Sequence, residues 1–155
     1  MLPVVDLVAL EAELARARVG DARVVLTNGV FDLLHVGHLR YLRQARGEGD
    51  LLVVGVNSDA SVAKPGRPLV PEAERAELVA ALDPVDFAVI FASPTADDLL
   101  LAVRPDVYVK GADYSEHTLP EANTAREIGA RLVFVPLVPN RSTSALAQTV
   151  LNSER

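Results

Sequence analysis

The sequence predicts an α/β fold in which a doubly wound, five-stranded parallel sheet forms the middle of a three-layer sandwich. Short apolar runs rich in valine alternate along the chain with stretches of helical periodicity, which is typical of parallel strands joined by helical crossovers. Hydrophobic residues make up 50% of the 155 residues, enough for a sizeable core. We find no internal repeat and no low-complexity segment, so we expect a single domain over residues 1–155.

The first predicted elements follow from hydrophobic spacing and from glycines that end helices. Leu7, Leu10 and Leu14 share one face of a helix, which Gly20 ends. Residues 51–56 form a continuous apolar run that is typical of a strand buried on both faces. In chain order we predict an N-terminal helix over 6–18 that packs on the domain, a strand over 23–27, a helix over 38–46 and a strand over 51–56.

The later elements carry clearer helix starts. Pro71 suits the first turn of a helix, and Glu72 and Glu74 lie near its positive end. Thr95 is a candidate N-cap before Asp97. In chain order we predict a helix that begins at 71, a strand over 87–91, a helix over 95–103, a strand over 106–109, a helix over 120–128, a strand over 132–135 and a helix over 142–151. This order predicts a Rossmann-like doubly wound sheet with right-handed crossovers.

Charge and cysteine content exclude several classes of protein. A net charge of −6 argues against long nucleic acid as a partner, because such binding usually needs a broad basic face. The sequence has no cysteine, which excludes disulfides, thiolate metal sites and a catalytic thiol. We find no basic leader and no apolar stretch of about 18 residues, so we expect no membrane segment and a cytoplasmic location.

The most informative segment is residues 27–38, TNGVFDLLHVGH, which follows the apolar run 24–26 directly. His35 and His38 are three residues apart, so they share a face once the chain turns helical near Val36. Gly37 has no side chain that would keep a ligand away from the backbone. A helix that begins here presents N–H groups and a partial positive charge to an anion. The segment therefore predicts a phosphate site.

Other polar segments also follow strand ends. Ligands of open parallel sheets bind beyond the carboxyl ends of the strands, where the direction of winding reverses. The segments that follow strand ends of that polarity are 27–38, 57–67, 110–114 and 140–144. We expect this edge to collect the two histidines together with Lys64 and Lys110, the two lysines of the chain.

The segments TNGVFD at 27–32 and HVGH at 35–38 together resemble the signature of the cytidylyltransferase-like nucleotidyltransferases. Further segments are similar to the adenylyltransferase half of bacterial ADP-heptose synthases, and the resemblance covers nearly the whole chain after about residue 20. They are VGVNSDASV at 54–62, GRP at 66–68, ER at 74–75, VKGADY at 109–114, LPE at 119–121 and RSTS at 141–144. The loop before Lys64 is shorter than in those enzymes, and no kinase domain is present, so the resemblance implies a stand-alone transferase.

The resemblance implies transfer of AMP from ATP to a sugar phosphate, heptose 1-phosphate, which gives ADP-heptose and pyrophosphate. A phosphate nucleophile is already ionised at neutral pH, so the reaction needs positioning and charge neutralisation and no general base. The family also implies Mg²⁺ bound through the substrate phosphates, no metal site on the protein itself, and a homodimer. Two alternatives stay open. One is a CTP-dependent cytidylyltransferase that acts on glycerol 3-phosphate or another polyol phosphate, and the other is a non-catalytic nucleotide-binding regulator.

The resemblance assigns roles to three sets of residues. The expected catalytic set is His35, His38, Lys64 and Arg75. The expected nucleotide-binding set is Thr27, Asn28, Gly29, Phe31, Asp32, Gly37, Lys110, Gly111, Asp113, Arg141, Ser142, Thr143 and Ser144. The expected acceptor-binding set is Asn57, Asp59, Arg67 and Tyr114.

Several of these residues also have a purely structural interpretation. The two histidines could form a metal pair, a helix cap or part of the core, although His117 is the one further histidine of the chain. Asp32 could cap its own turn, and Arg75 could pair with glutamates on its own helix face. Structural roles are also open for three other residues, which are Asp113, Tyr114 and, as a helix cap, Thr143.

Overall fold

The computed structural model describes residues 4–62, 64–136 and 143–153. Within them, a five-stranded parallel sheet has the strand order β3-β2-β1-β4-β5. Its strands are β1 (Val24–Gly29), β2 (Leu51–Asn57), β3 (Phe87–Phe91), β4 (Val107–Gly111) and β5 (Arg131–Val135). The helices are α1 (Leu7–Val19), α2 (Val36–Arg46), α3 (Glu72–Ala80), α4 (Asp97–Val103), α5 (Ala122–Glu127) and α6 (Thr143–Ser153), with a 3₁₀ turn at Asp59–Ser61. The predicted fold class is confirmed.

Two hydrophobic clusters, one on each face of the sheet, form the core of the three-layer sandwich. Helices α2 and α3 pack on one face through residues such as Leu42 and Val79. Helices α1, α4 and α5 pack on the other face, where Leu10 and Leu14 of α1 are fully buried. None of the helices in the described residues combines the length and the apolar character that crossing a bilayer requires.

The pairing of β1 with its neighbours β2 and β4 determines where the sheet opens into a crevice. The ladder between β1 and β2 continues to the pair Gly29 and Val56. The ladder between β1 and β4 ends earlier, at Leu26 and Tyr108. Since the winding reverses between β1 and β4, these two strands separate at the edge where ligands of such sheets bind.

Helix α4 begins differently from the prediction. Ala96, and not Thr95, occupies the N-cap position, and the Thr95 hydroxyl donates to Oδ2 of Asp97 at 2.6 Å. The amide of Ala96 donates to Oε1 of Glu121 at 3.0 Å. A carboxylate that precedes α5 therefore satisfies an N–H group near the start of α4, a contact that local sequence does not reveal.

Candidate active site

Two imidazoles cap the start of α2. His35 is the N-cap residue, and its Nδ1 accepts a hydrogen bond from the amide of Gly37 at 3.1 Å. The Nδ1 atom of His38 accepts from the amide of His35 at 3.2 Å, which completes a reciprocal capping box. Because both Nδ1 atoms are acceptors, a neutral ring carries its proton on Nε2, on the side away from these backbone amides. Capping thus fixes the tautomer of each ring, with Nε2 as the nitrogen that carries the proton.

The environment keeps His38 neutral. Its ring centroid lies 3.9 Å from that of His35, and the two planes are inclined by 33°. Burial and the adjacent His35 lower the pKa of His38 to about 4. His38 therefore acts at neutral pH as a donor without a formal charge.

Phe31 supports this pair from the turn that follows β1. Its φ of 52° lies in the left-handed region, its side chain is buried, and its ring centroid is 5.4 Å from that of His38. A Cβ atom on Gly29 would lie 3.0 Å from the Phe31 ring, so the turn requires a small residue there. The amides of Phe31 and Asp32 make no hydrogen bond within the described residues. Their predicted use as phosphate donors stays a prediction.

The carboxylate of Asp32 joins two loops, and its predicted part in nucleotide binding stays a prediction. Asp32 is 3% exposed, and it accepts from Nε of Arg67 at 2.7 Å and from the amides of Leu69 and Val70 at 2.9 Å. Burial would raise the pKa of Asp32, but these amides and the Arg67 guanidinium outweigh it and hold the pKa below its usual value. The pair fixes the loop after β2 against the loop after β1, so Arg67 is also engaged internally.

Arg75 holds segments of the protein together in this structure, and its predicted catalytic role stays a prediction. It is 0% exposed, and its guanidinium donates to the carbonyls of Val30, Asn57 and Val70 at 2.6, 2.8 and 2.8 Å. Its Nη2 donates to Oδ1 of Asp59 at 2.7 Å. Nε, Nη1 and Nη2 all bind protein acceptors and none of these contacts is with a glutamate of α3, so Arg75 holds the segments that follow β1 and β2 together.

Thr27 makes structural contacts, and its predicted phosphate contact stays a prediction. Its side chain is fully buried, and its Oγ1 lies 2.7 Å from the Tyr41 hydroxyl and 2.8 Å from the Val109 carbonyl oxygen. The Tyr41 hydroxyl donates to the same carbonyl at 3.0 Å. The three groups tie α2 and β1 to β4 directly beneath the crevice.

Asn28 and Lys110 lie at the crevice itself. The Asn28 carbonyl accepts from Nζ of Lys110 at 3.2 Å, and its side-chain oxygen accepts from the Tyr108 hydroxyl. Burial lowers the pKa of Lys110, although the nearby carboxylates of Glu121 and Asp113 oppose this shift. The Lys110 ammonium lies 5.4 Å from the centre of the Tyr114 ring. Two predicted site residues, Asn28 and Lys110, are therefore brought together.

A cleft of about 260 Å³ opens beside Lys110. Three predicted residues line it besides Asn28 and Lys110, namely Gly29, Asn57 and Tyr114. Two further polar residues, Thr95 and Glu121, also line it and could not be assigned to the site from sequence. The sequence feature that could have pointed to Glu121 is the LPE segment at 119–121. This segment is part of the family resemblance, but no role was predicted for it.

The remaining predicted residues are placed as follows. Lys64 is exposed on the loop after the 3₁₀ turn, and its carbonyl accepts from the amide of Arg67 at 3.1 Å. Gly111 ends β4, Asp113 is exposed, and Gly37 contributes the amide bound by His35. Arg141 and Ser142 lie outside the described residues, as do the side chains of Thr143 and Ser144. Their predicted roles stay predictions.

The donor set at this edge does not fit a metal site built by the protein. The carboxylates of Asp32 and Asp59 are engaged by Arg67 and Arg75. Within the part of the chain that the structure describes, no three His, Asp or Glu side chains converge as metal ligands. A divalent cation at this site would depend on ligands that a substrate supplies.

Comparisons with known proteins place the chain in a family. Residues 26–148 match the cytidylyltransferase-like family. The bifunctional protein HldE of Syntrophotalea carbinolica is 44% identical over 146 residues, which cover 92% of this chain and 29% of that protein. The bifunctional protein HldE of Pelobacter propionicus is 46% identical over 151 residues, covering 93% and 29%. The chain thus spans about three tenths of the length of these curated relatives.

A solved structure agrees with this assignment. The lipopolysaccharide core biosynthesis protein of Thermoplasma volcanium superposes with a TM-score of 0.62 at 30% sequence identity. The match covers 76% of this chain and 97% of that protein. The resemblance inferred from residues 27–38 is confirmed, and the chain belongs to the cytidylyltransferase-like family.

Proposed function

We propose that this chain transfers AMP from ATP to heptose 1-phosphate and releases pyrophosphate, giving ADP-heptose. The observation that carries the proposal is the histidine capping box of α2, which fixes the tautomers of two imidazoles at a helix N-terminus. Sequence similarity to the HldE proteins and to a lipopolysaccharide core biosynthesis protein supports a sugar phosphate as acceptor.

His38 acts on the leaving group in this mechanism. As the bond between the α-phosphorus and the bridging oxygen breaks, negative charge develops on the departing pyrophosphate. We expect the Nε2–H group of His38 to stabilise that charge together with the positive end of α2, with His35 beside it as the N-cap residue. The low pKa of His38, about 4, means that it contributes a hydrogen bond and does not transfer a proton.

The acceptor phosphate needs no general base, because it is ionised at neutral pH. Lys110, held at the crevice by the Asn28 carbonyl, neutralises charge as the two phosphates approach each other. A partly buried ammonium is effective here, since an ion pair is stronger where water is excluded. Lys64, on an exposed loop, is expected to bind a phosphate only once substrate is present.

The substrate phosphates would hold the Mg²⁺ ion that the family resemblance implies, and the bound ion would supply charge neutralisation there. The engaged carboxylates of Asp32 and Asp59 agree with such a substrate-borne ion. A homodimer stays a prediction of the family resemblance.

Pyrophosphate release tests the reaction. The protein is incubated with ATP or CTP and with heptose 1-phosphate or glycerol 3-phosphate. We expect release with ATP and heptose 1-phosphate only. Release that depends on CTP would refute the adenylyltransferase, and tight ATP binding without turnover on either acceptor would favour a regulator.

Two substitutions separate capping from catalysis at His38. His38→Asn keeps an acceptor near the position of Nδ1 but removes the Nε2 donor, so we expect a folded protein whose kcat is roughly 10²- to 10³-fold lower. His38→Gln keeps an N–H near the position of Nε2 and should retain more activity. His117→Asn changes an exposed histidine in the loop after β4 and serves as the matched control. Full activity of His38→Asn would contradict the proposed role.

A further inference from the structure

The cleft beside Lys110 has polar walls drawn from four segments of the chain. Asn28, Asn57 and Lys110 lie at the carboxyl ends of β1, β2 and β4. Thr95 follows β3, and Tyr114 and Glu121 lie in the loop between β4 and α5. The volume of about 260 Å³ lies just below the roughly 300–1,000 Å³ of pockets for drug-sized ligands. The cleft therefore suits a group of monosaccharide size and is too small for a whole nucleoside triphosphate.

The cleft and the histidines lie on opposite sides of the end of β1. Helix α2, which carries His38, packs on the same face of the sheet as α3. The cleft is lined by residues that begin α4 and α5, which pack on the other face. Residues 28–30 line the cleft and lead into the turn that carries the histidines, so they join the two half-sites.

In-line displacement requires the nucleophile and the leaving group to lie on opposite sides of the phosphorus. With pyrophosphate held at the start of α2, the nucleophile approaches from the side of α4 and α5. This geometry places the acceptor in the cleft.

Glu121 determines what kind of group the cleft accepts. It is 6% exposed and lines the cleft, and its Oε1 accepts from the amide of Ala96 at 3.0 Å. Among the hydrogen bonds of the described residues, none engages its Oε2. A carboxylate repels phosphate but accepts readily from hydroxyl groups. Opposite charges on Glu121 and Lys110 balance each other, which favours a neutral skeleton bearing many hydroxyls next to one phosphate.

We propose that this cleft binds the hydroxylated carbon skeleton of the acceptor, with Glu121 as the hydroxyl acceptor that sets acceptor specificity and Lys110 next to the acceptor phosphate. This inference rests on the proposed function and deepens it. It assigns the acceptor as a monosaccharide phosphate whose ring or chain hydroxyls reach Glu121.

The substitution Glu121→Gln tests the role of Glu121. Glutamine keeps an oxygen that can accept from Ala96 and removes the negative charge. We expect the KM for heptose 1-phosphate to rise roughly 10- to 100-fold, as for loss of a hydrogen bond to a charged group, while the KM for ATP changes less than about twofold. An unchanged KM for the acceptor, or an equal rise for ATP, overturns the inference.

Two controls report on local structure. Glu127→Gln changes an exposed carboxylate of α5, the helix that Glu121 precedes. Thr124→Val removes the hydrogen bond to Oδ1 of Asp97, 2.6 Å long, without changing a residue that lines the cleft. Both variants should keep the wild-type KM for the acceptor. If Glu121→Gln does not fold, Asn57→Leu alters another wall of the cleft and is expected to raise the same KM.

A binding measurement separates this inference from the proposed function. If the wild-type protein shows no turnover, the proposed reaction fails, and heptose 1-phosphate alone is then titrated into it by calorimetry. Binding that Glu121→Gln weakens supports the cleft as a sugar phosphate site. Absence of binding to the wild-type protein overturns the inference as well.

Discussion

The substitution Arg75→Met removes a buried guanidinium that makes four hydrogen bonds within the protein. Three backbone carbonyls then lose their donor, and each buried unsatisfied group costs about 1–3 kcal/mol. The ion pair with Asp59 is worth less, because that carboxylate side chain is 43% exposed and can turn to water. The three carbonyls therefore dominate the cost, and we expect a loss of about 4 kcal/mol in the free energy of unfolding.

Urea denaturation followed by circular dichroism measures this loss. With an m-value of roughly 2 kcal/mol per molar, the midpoint should fall by about 2 M. Arg126→Met is the matched control, because Arg126 is exposed and, among the described residues, its side chain donates only to Oδ1 of Asn123. Its effect should stay within about 0.5 kcal/mol. Arg75→Lys should be nearly as damaging, because one ammonium cannot reach acceptors arranged for a planar fork.

The alternative is that Arg75 binds a phosphate, as its place in the family motif suggested. In that case Arg75→Met would leave the midpoint within about 0.3 M of the wild type and would lower turnover alone. This outcome would show that the guanidinium leaves its buried position when substrate binds, and the structural assignment would be wrong.

Two further predictions concern stability. The pKa of His38 is about 4 in the folded protein, against 6.5 for an unperturbed histidine, so the unfolded chain binds the proton first as the pH falls. The free energy of unfolding should therefore fall by at most about 3 kcal/mol as the pH drops from 6.5 to 4. The variant His38→Asn should show a weaker pH dependence of the urea midpoint. Gly55→Ala places a Cβ atom 2.4 Å from Cδ2 of Leu99 and should lower the free energy of unfolding by about 1–3 kcal/mol, measured by thermal or urea unfolding. The control is Gly20→Ala, where the nearest atom would lie 3.6 Å from the new Cβ and the free energy of unfolding should change little.

The fold could be predicted because its strongest signals are local. Residues 51–56 are apolar without interruption, and a strand buried on both faces is the simplest structure that accommodates them. The capping box of α2 is equally local, because its hydrogen bonds join residues of one turn. The His35 ring accepts from the amide of Gly37, and the His38 ring accepts from the amide of His35. The edge of the sheet that carries the site follows from the direction of the strands alone.

The roles of the charged residues could not be predicted, because their partners are distant in the sequence. Arg75 contacts the carbonyl of Val30, which is 45 residues away, and Asp32 contacts the amide of Leu69, which is 37 residues away. In the sequence, Asp32 looks like a polar side chain in a loop after a strand, and Arg75 looks like a cation near the start of a helix; ligand-binding residues look the same. Glu121 could not be assigned for the same reason, since its contact with Ala96 exists only after α4 and α5 have packed.

Two arginines near the candidate site are paired with carboxylates within the protein. Arg67 and Arg75 were expected to add positive charge to the site, but each is paired with a carboxylate, Asp32 and Asp59 respectively. These pairs contribute rigidity and little net charge. Within the described residues, the attraction for phosphate that we propose then rests on the imidazoles and amides at the start of α2, with Lys110 and Lys64 as cations. Such a site favours phosphate by directed hydrogen bonds, so its affinity should depend on the geometry of the turn more than on ionic strength.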